Sequence, residues 1–276
     1  MRSFILLPAL LAATPALAQQ TEKQPGSDSV TLGLGASYGP DSEGSDDYRL
    51  VAGPGAIGQV GGVGFILAGN RLSVDLVPDE PGPGWIVQAG PLVTLNLNRR
   101  FTNMIDDPRI RALGRRSATL ELGGYAGIGR RGVITSDYDT LSFTLGYRKG
   151  VTGAHRGGIL QPTIAYFTPL STKAAVSVSV SGERAERKYA AAYYDVDAAG
   201  SIASGLPQYR ARGGWKNYTA SLIGGYSLTG DLTKGWKIAG GVTYRRLLND
   251  FADSPVVSIA GSRDQWIGVL GLAYTF

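Results

Sequence analysis

The sequence predicts an all-β chain: a transmembrane antiparallel up-and-down β-barrel of about twelve strands, or ten if the Gly-rich stretch at 48–78 forms fewer. Three observations predict it. The first is the stretch 266–276, where Trp266, Leu270, Leu272, Tyr274 and Phe276 alternate with Ile267, Val269, Gly271, Ala273 and Thr275. A period of two, with one large apolar face and one small face, marks a strand between two environments. Lipid against the large face accounts for its aromatic residues. The second is composition: 40 glycines, 14 tyrosines and no cysteine among 276 residues. Glycine is thus at about twice its ordinary usage. The third is what the apolar residues do not do. They show no sustained i, i+3, i+4, i+7 spacing, and no apolar run approaches the ~20 residues of a spanning helix.

The first residues read as an export signal. Arg2 precedes an apolar run at 4–11 and small residues at 12–18, and Ala16-Leu17-Ala18 fits a small-residue cleavage site between Ala18 and Gln19. The expected organisation is a signal peptide at 1–18, a polar periplasmic leader at 19–28 and the barrel at 29–276. Without cysteine there is no disulfide, thiolate metal site or thiol nucleophile. The net charge of +5 is modest and sits mainly in connecting segments, so it does not indicate nucleic-acid binding.

Taken in order, the strands are expected at 30–38, 48–58, 62–68, 71–77, 85–98, 118–129, 139–149, 159–168, 174–183, 215–228, 235–248 and 266–276. The ninth alternates most cleanly, with Ala174, Val176, Val178 and Val180 against Ser177, Ser179, Ser181 and Glu183. The long connections are 39–47, 99–117, 184–214 and 249–263, and all follow odd-numbered strands. With both ends of the barrel chain in the periplasm, the long loops fall outside the cell and the short turns inside. Within 99–117, Asp107-Pro108 followed by Gly114 predicts a short helix with its N-cap, first-turn proline and stop.

A lipid-facing Lys or Arg near the bilayer midplane costs ~2–4 kcal/mol. Charges within strands should therefore share the face that carries Ser, Thr and Gly. Asp75, Glu121, Arg148, Glu183, Lys237 and Arg245 do so. A lumen lined by both signs points to a narrow or occluded interior.

Few residues suggest chemistry. Residues 53–58 and 127–132 both spell G-x-G-x-x-G, but neither precedes a helix as a dinucleotide site requires. The one histidine, His155, lies among Gly153, Gly157 and Gly158 and reads as a surface residue of a flexible external loop. The acidic stretch with Asp41, Glu43, Asp46 and Asp47 reads as solvated charge beside Arg49 rather than a Ca²⁺ loop. Arg99, Arg100, Arg109, Arg111, Arg115 and Arg116 cluster in one loop, read as solvated charge with lipopolysaccharide phosphate as the alternative. No catalytic residue, cofactor site or metal site is expected.

Residues 33–49 (GLGASYGPDSEGSDDYR), Gly90-Pro91, 247–256 (LLNDFADSPV) and 272–276 (LAYTF) together resemble the MipA/OmpV family of outer-membrane proteins. The signature-like positions are Gly44, Ser45, Asp46, Asp47, Tyr48, Arg49, Asp253, Ser254 and Pro255. The resemblance implies an outer-membrane barrel without catalytic residues. It also implies a non-enzymatic scaffold or structural envelope protein, linked to a murein transglycosylase and a murein synthase in peptidoglycan processing. A small porin-like channel for solutes is the alternative. The other expected partners are outer-membrane lipid and the barrel-assembly machinery, for which Tyr274 and Phe276 resemble an assembly signal.

Overall fold

The computed structural model describes residues 28–79 and 82–276. The expected signal peptide, its Ala18–Gln19 junction and leader residues 19–27 lie outside the described residues. Twelve antiparallel strands close into one barrel: β1 (Ser29–Pro40), β2 (Tyr48–Val60), β3 (Val63–Ala68), β4 (Arg71–Asp75), β5 (Gly84–Asn96), β6 (Thr119–Arg131), β7 (Thr140–Gly150), β8 (Gly158–Pro169), β9 (Ala174–Ala185), β10 (Gly214–Ser227), β11 (Gly235–Leu247) and β12 (Asp264–Thr275). Each strand pairs with its neighbours in sequence. The seam is β1 on β12, with Thr31 opposite Thr275 and Tyr38 opposite Gly268. Closure gives every backbone group along the seam a partner, which a membrane wall requires.

The alternation sorts side chains as hydrophobicity demands. Along β12, Trp266, Leu270 and Leu272 are exposed on the outer wall, while Gln265 and Thr275 are buried inside. Along β7, Leu141, Phe143, Leu145 and Tyr147 face out, and Ser142 and Arg148 are buried. Aromatic rings meet at both rims of the wall. Tyr38 and Tyr48 stand 5.5 Å apart, and Tyr244 and Trp266 4.8 Å apart, at one end. Trp236 and Tyr274 lie 5.2 Å apart at the other.

The connections differ between the two ends. At the end where β1 begins and β12 finishes, they are short: 61–62, 76–83, 132–139, 170–173 and 228–234. At the opposite end, the connections at 97–118, 186–213 and 248–263 are long. Outer-membrane barrels carry short periplasmic turns and long external loops, so the long-loop end faces outward.

The long connections are structured. The 97–118 connection forms α1 (Pro108–Ala112), with Asp107 accepting from the Arg109 and Ile110 N–H groups and Gly114 at φ +79°, as the sequence predicts. The 186–213 connection forms α2 (Arg187–Tyr194) and α3 (Ala198–Ser204). The 248–263 connection forms α4 (Asn249–Asp253) and α5 (Pro255–Ser258). These four helices have no counterpart in the sequence reading. They are short, from four to eight residues, and hold their shape by packing, not by periodicity. Tyr189, Tyr193, Tyr194, Phe251, Ala252 and Val257 form one apolar cluster with Ile159 and Leu247 from strand ends. Ile105, Ile110, Val196, Leu206 and Val256 form a second. Together they make a small hydrophobic core that caps the outer mouth.

Candidate functional site: the capped outer lumen

Beneath the cap, a chain of ion pairs crosses the lumen. The Arg148 Nε donates to Glu121 Oε2 at 2.7 Å, and its Nη2 donates to Glu183 Oε1 at 2.5 Å. The Lys216 ammonium lies 2.7 Å from Glu183 Oε2 and 2.7 Å from Glu43 Oε1. Five residues from β6, β7, β9, β10 and the first external loop thus join in one line. Neutral groups complete it. Asn96 donates to Glu121, Asn217 to Glu183, and Tyr189 in α2 donates its hydroxyl to Glu43 at 2.6 Å. Arg71 and Arg148 share the Gln161 side-chain oxygen. Paired this way, charges can remain in a water-poor interior that would not hold them singly.

Glu43 ties the cap to the wall. Burial pushes its carboxyl up, but Lys216 and Arg245 outweigh that and hold it below the usual carboxylate range. The expectation of solvated charge in the first loop is therefore corrected at Glu43, because Lys216 arrives from inside the barrel. Arg49, expected beside those acids, instead donates to the Met104 carbonyl. Asp41 accepts from the Asp106 N–H at 2.8 Å and so joins the first loop to the β5–β6 connection.

Two further readings are corrected. His155 is 3% exposed, with Nε2 3.1 Å from Glu121 Oε1 and its ring edge-on to Tyr189 and Tyr193. The glycines around it mark close packing, not flexibility: a Cβ on Gly157 would stand 2.5 Å from the Tyr189 nitrogen. Arg99 is buried at φ +54°, and its guanidinium donates to the carbonyls of Tyr193, Leu113 and Gly114. It is an internal strut of the cap. Burial, with Arg116 nearby, lowers its pKa to about 10.

The signature-like residues meet in space. Gly44 sits at φ +94°, and a Cβ there would lie 2.6 Å from Val257 of α5. Its N–H donates to Gln265, its carbonyl accepts from Ser262, and the Ser45 carbonyl accepts from Gln265. Asp47 closes the turn, its N–H donating to the Ser45 hydroxyl and its carbonyl accepting from the Asp41 N–H. The Tyr48 hydroxyl accepts from the Trp266 N–H. Ser254 caps α5 through the Val256 N–H and donates to the Tyr194 carbonyl, and Pro255 opens that helix. Asp46 and Asp253 point to solvent. The two stretches are thus the two halves of a clasp between the first and last external loops.

The remaining lumen charges are spread out. Arg245 lies near the clasp with one long contact to Thr219. Lys237 donates to Thr275 near the periplasmic rim. Asp75 accepts from the Val77 and Ala89 N–H groups. At that rim Phe276 donates its N–H to Val30 and stacks edge-on to Tyr274. Both G-x-G-x-x-G runs lie in strands, β2 and β6 with its turn, and among the described residues no carboxylate–histidine group is placed to hold a metal.

A closed twelve-stranded barrel with an apolar outer wall and aromatic rims is a protein of the outer membrane. The family model described as "MltA-interacting protein MipA" matches residues 32–276, and the chain belongs to that family. A search of the curated proteins found no match. Among solved structures, an outer-membrane channel from Pseudomonas putida F1 is 13% identical, with a TM-score of 0.43 over 92% of this chain and 97% of that one. A FadL homologue of Pseudomonas aeruginosa is 10% identical, with a TM-score of 0.35 over 98% and 94%.

Proposed function

We propose that this barrel is a non-enzymatic scaffold of the cell envelope, holding murein-processing enzymes at the outer membrane and not conducting solutes. The observation that carries the reading is the packed cap over the outer mouth. An ion-pair chain spans the lumen from Glu121 to Glu43, and a hydrophobic cap sits on top of it. Nothing in such an arrangement favours rapid passage. The family's description names an interaction with MltA, which supports a binding role.

The periplasmic face has a rigid feature that a partner could meet. Asp139 accepts from the Val133, Ile134 and Thr135 N–H groups and from the Tyr166 hydroxyl. Burial raises its pKa, but these donors outweigh it and hold the carboxyl well below its usual range. The turn presents Ile134 at 69% exposure. Placing a photo-crosslinking residue at Ile134 and solubilising envelopes after illumination tests the reading. Recovery of a murein transglycosylase is expected. Recovery of no murein enzyme, from this position or by whole-protein pull-down, would remove the scaffold reading. A small solute channel is the alternative, and it would require the cap to move.

A further inference from the structure

The barrel wall has a gap. β3 and β4 are six and five residues long and joined by Gly69-Asn70 alone, whereas β2 and β5 each have thirteen. β2 pairs with β3 only over Gly55–Val60. The last contact is Gly69 donating to the Pro54 carbonyl, and above it Tyr48–Gly53 has no strand on that side. Pro54 suits this place because it has no N–H to leave unpaired. At ~3.3 Å per residue and a tilt of ~40°, the short hairpin covers roughly 15 Å of an apolar belt ~25 Å tall. The break in strand pairing therefore lies at membrane depth, below the Tyr38–Tyr48 rim, with Leu50 exposed above it on β2, Leu95 beside Asn70 at its floor, and the β5–β6 connection reaching β2 where Arg49 meets Met104.

Two cavities adjoin it inside. The lower, of about 190 Å³, is lined by inward-facing small and apolar residues such as Gly55, Ile57, Ala68, Ile223, Val269 and Ala273. An apolar patch of this kind is unexpected in a barrel interior, which is ordinarily polar. Its lining is apolar enough to favour an apolar guest over water. The upper, of about 80 Å³, is lined by Arg49, Arg99 and Arg245 with Phe101 and Met104, and by Asp41 and Glu43, whose carboxylates are taken up by the Asp106 N–H and by Lys216 and Tyr189. The Nε atoms of Arg49 and Arg99 are buried there without a hydrogen-bond partner. Their guanidinium groups bond to backbone carbonyls only, and among the described residues neither forms an ion pair. Arg245 partly answers to Glu43 and Glu183, which it flanks. Buried donors facing no acceptor are costly, and a planar carboxylate is the acceptor that the arginine fork fits.

We propose that this sector binds a single-chain anionic amphiphile of the outer leaflet, of the fatty-acid class. It enters through the gap above Gly69-Asn70, sets its head against Arg49 and Arg99, and lays its chain in the chamber by Gly55. No bond forms or breaks. The site is independent of the scaffold role.

The test uses the full-length protein in nanodiscs of neutral phosphatidylcholine, with empty nanodiscs as the blank. The probes are radiolabelled dodecanoate, dodecyl phosphate and dodecanol. Saturable binding of an anionic probe is expected, at least tenfold tighter than that of dodecanol. Arg49→Gln removes the anionic preference, so dodecanoate falls at least tenfold while dodecanol is unchanged. Gly55→Leu fills the chamber and weakens all three probes. A Cβ at Gly55 meets only Leu67 O, at an ordinary 3.8 Å, so the backbone there accepts a side chain. Retained heat-modifiable gel mobility identifies variants that have assembled. Whichever anion binds tighter identifies the source, free fatty acid or single-chain phospholipid. No saturable binding above the blank, or binding that both assembled variants leave unchanged, would overturn the proposal.

Discussion

Arg148 holds the lumen network together. It is buried, and among the described residues it is the side chain that ion-pairs with both Glu121 and Glu183. Removing one partner of a buried ion pair typically costs about 3–5 kcal/mol, because the other charge is left without compensation. Arg148→Met is therefore expected to lower by many degrees the temperature at which the lipid-reconstituted barrel loses its folded gel mobility. A wild-type transition would show that the chain of charges is not structural. Glu43 adds a pH dependence. Its pKa is lowered on folding, so its contribution is full above the ordinary value of 4.5 and is lost as pH falls through the lowered folded value. Protease cleavage within 41–47 of the intact barrel is expected to rise below about pH 4.5. It should not rise in Glu43→Gln, which lacks the titrating group. Glu121, Arg148 and Glu183 were legible because each stands in an alternating strand, where period two assigns the face. Glu43 and Arg99 were not, because a loop residue's burial depends on what folds over it. His155 was misread for the same reason. Its glycine neighbours resemble a flexible loop in sequence and close packing in space.

At the scale of elements, strand boundaries could be read to within a few residues, while of the helices only α1 was read, although Ser254-Pro255 at α5 and Asp197 with Gly205 at α3 carry similar capping chemistry. Asp107-Pro108 announces α1, but α2 to α5 carry no periodic signal. They exist because Tyr194, Phe251 and Val257 find each other across two loops distant in sequence. Tyr194 and Phe251 meet edge to face at 5.0 Å, and both are fully buried. Phe251→Ala removes a side chain from this core at an expected cost of about 3–5 kcal/mol. Because the barrel ladder is untouched, the loss should fall on the cap. Faster proteolysis at 186–213 with unchanged strand protection is the expected outcome in hydrogen exchange and limited digestion. Global unfolding instead would mean that the cap and the barrel form one cooperative unit. The short β3–β4 hairpin shows the converse limit. Its strands were placed correctly, but the gap above them follows from comparing their lengths with β2 and β5 once the register is known.

At the scale of the whole molecule, face assignment predicts a mixed-charge lumen, and Arg148 pairs there with Glu121 and Glu183. The external cap is not legible in the sequence, and it is what the proposed function relies on to close the outer mouth. The resemblance of 33–49 and 247–256 to a known family has a physical basis in this fold, since Gly44, Gln265, Ser254 and Val257 form the clasp between the first and last loops. The central claim is that the outer mouth is sealed, and single-channel recording in planar bilayers tests it most directly. Wild-type barrel is predicted to give no stable openings at moderate voltage, whereas a variant lacking residues 188–212 should give discrete ones. Clear, stable openings from wild-type barrel would contradict the account.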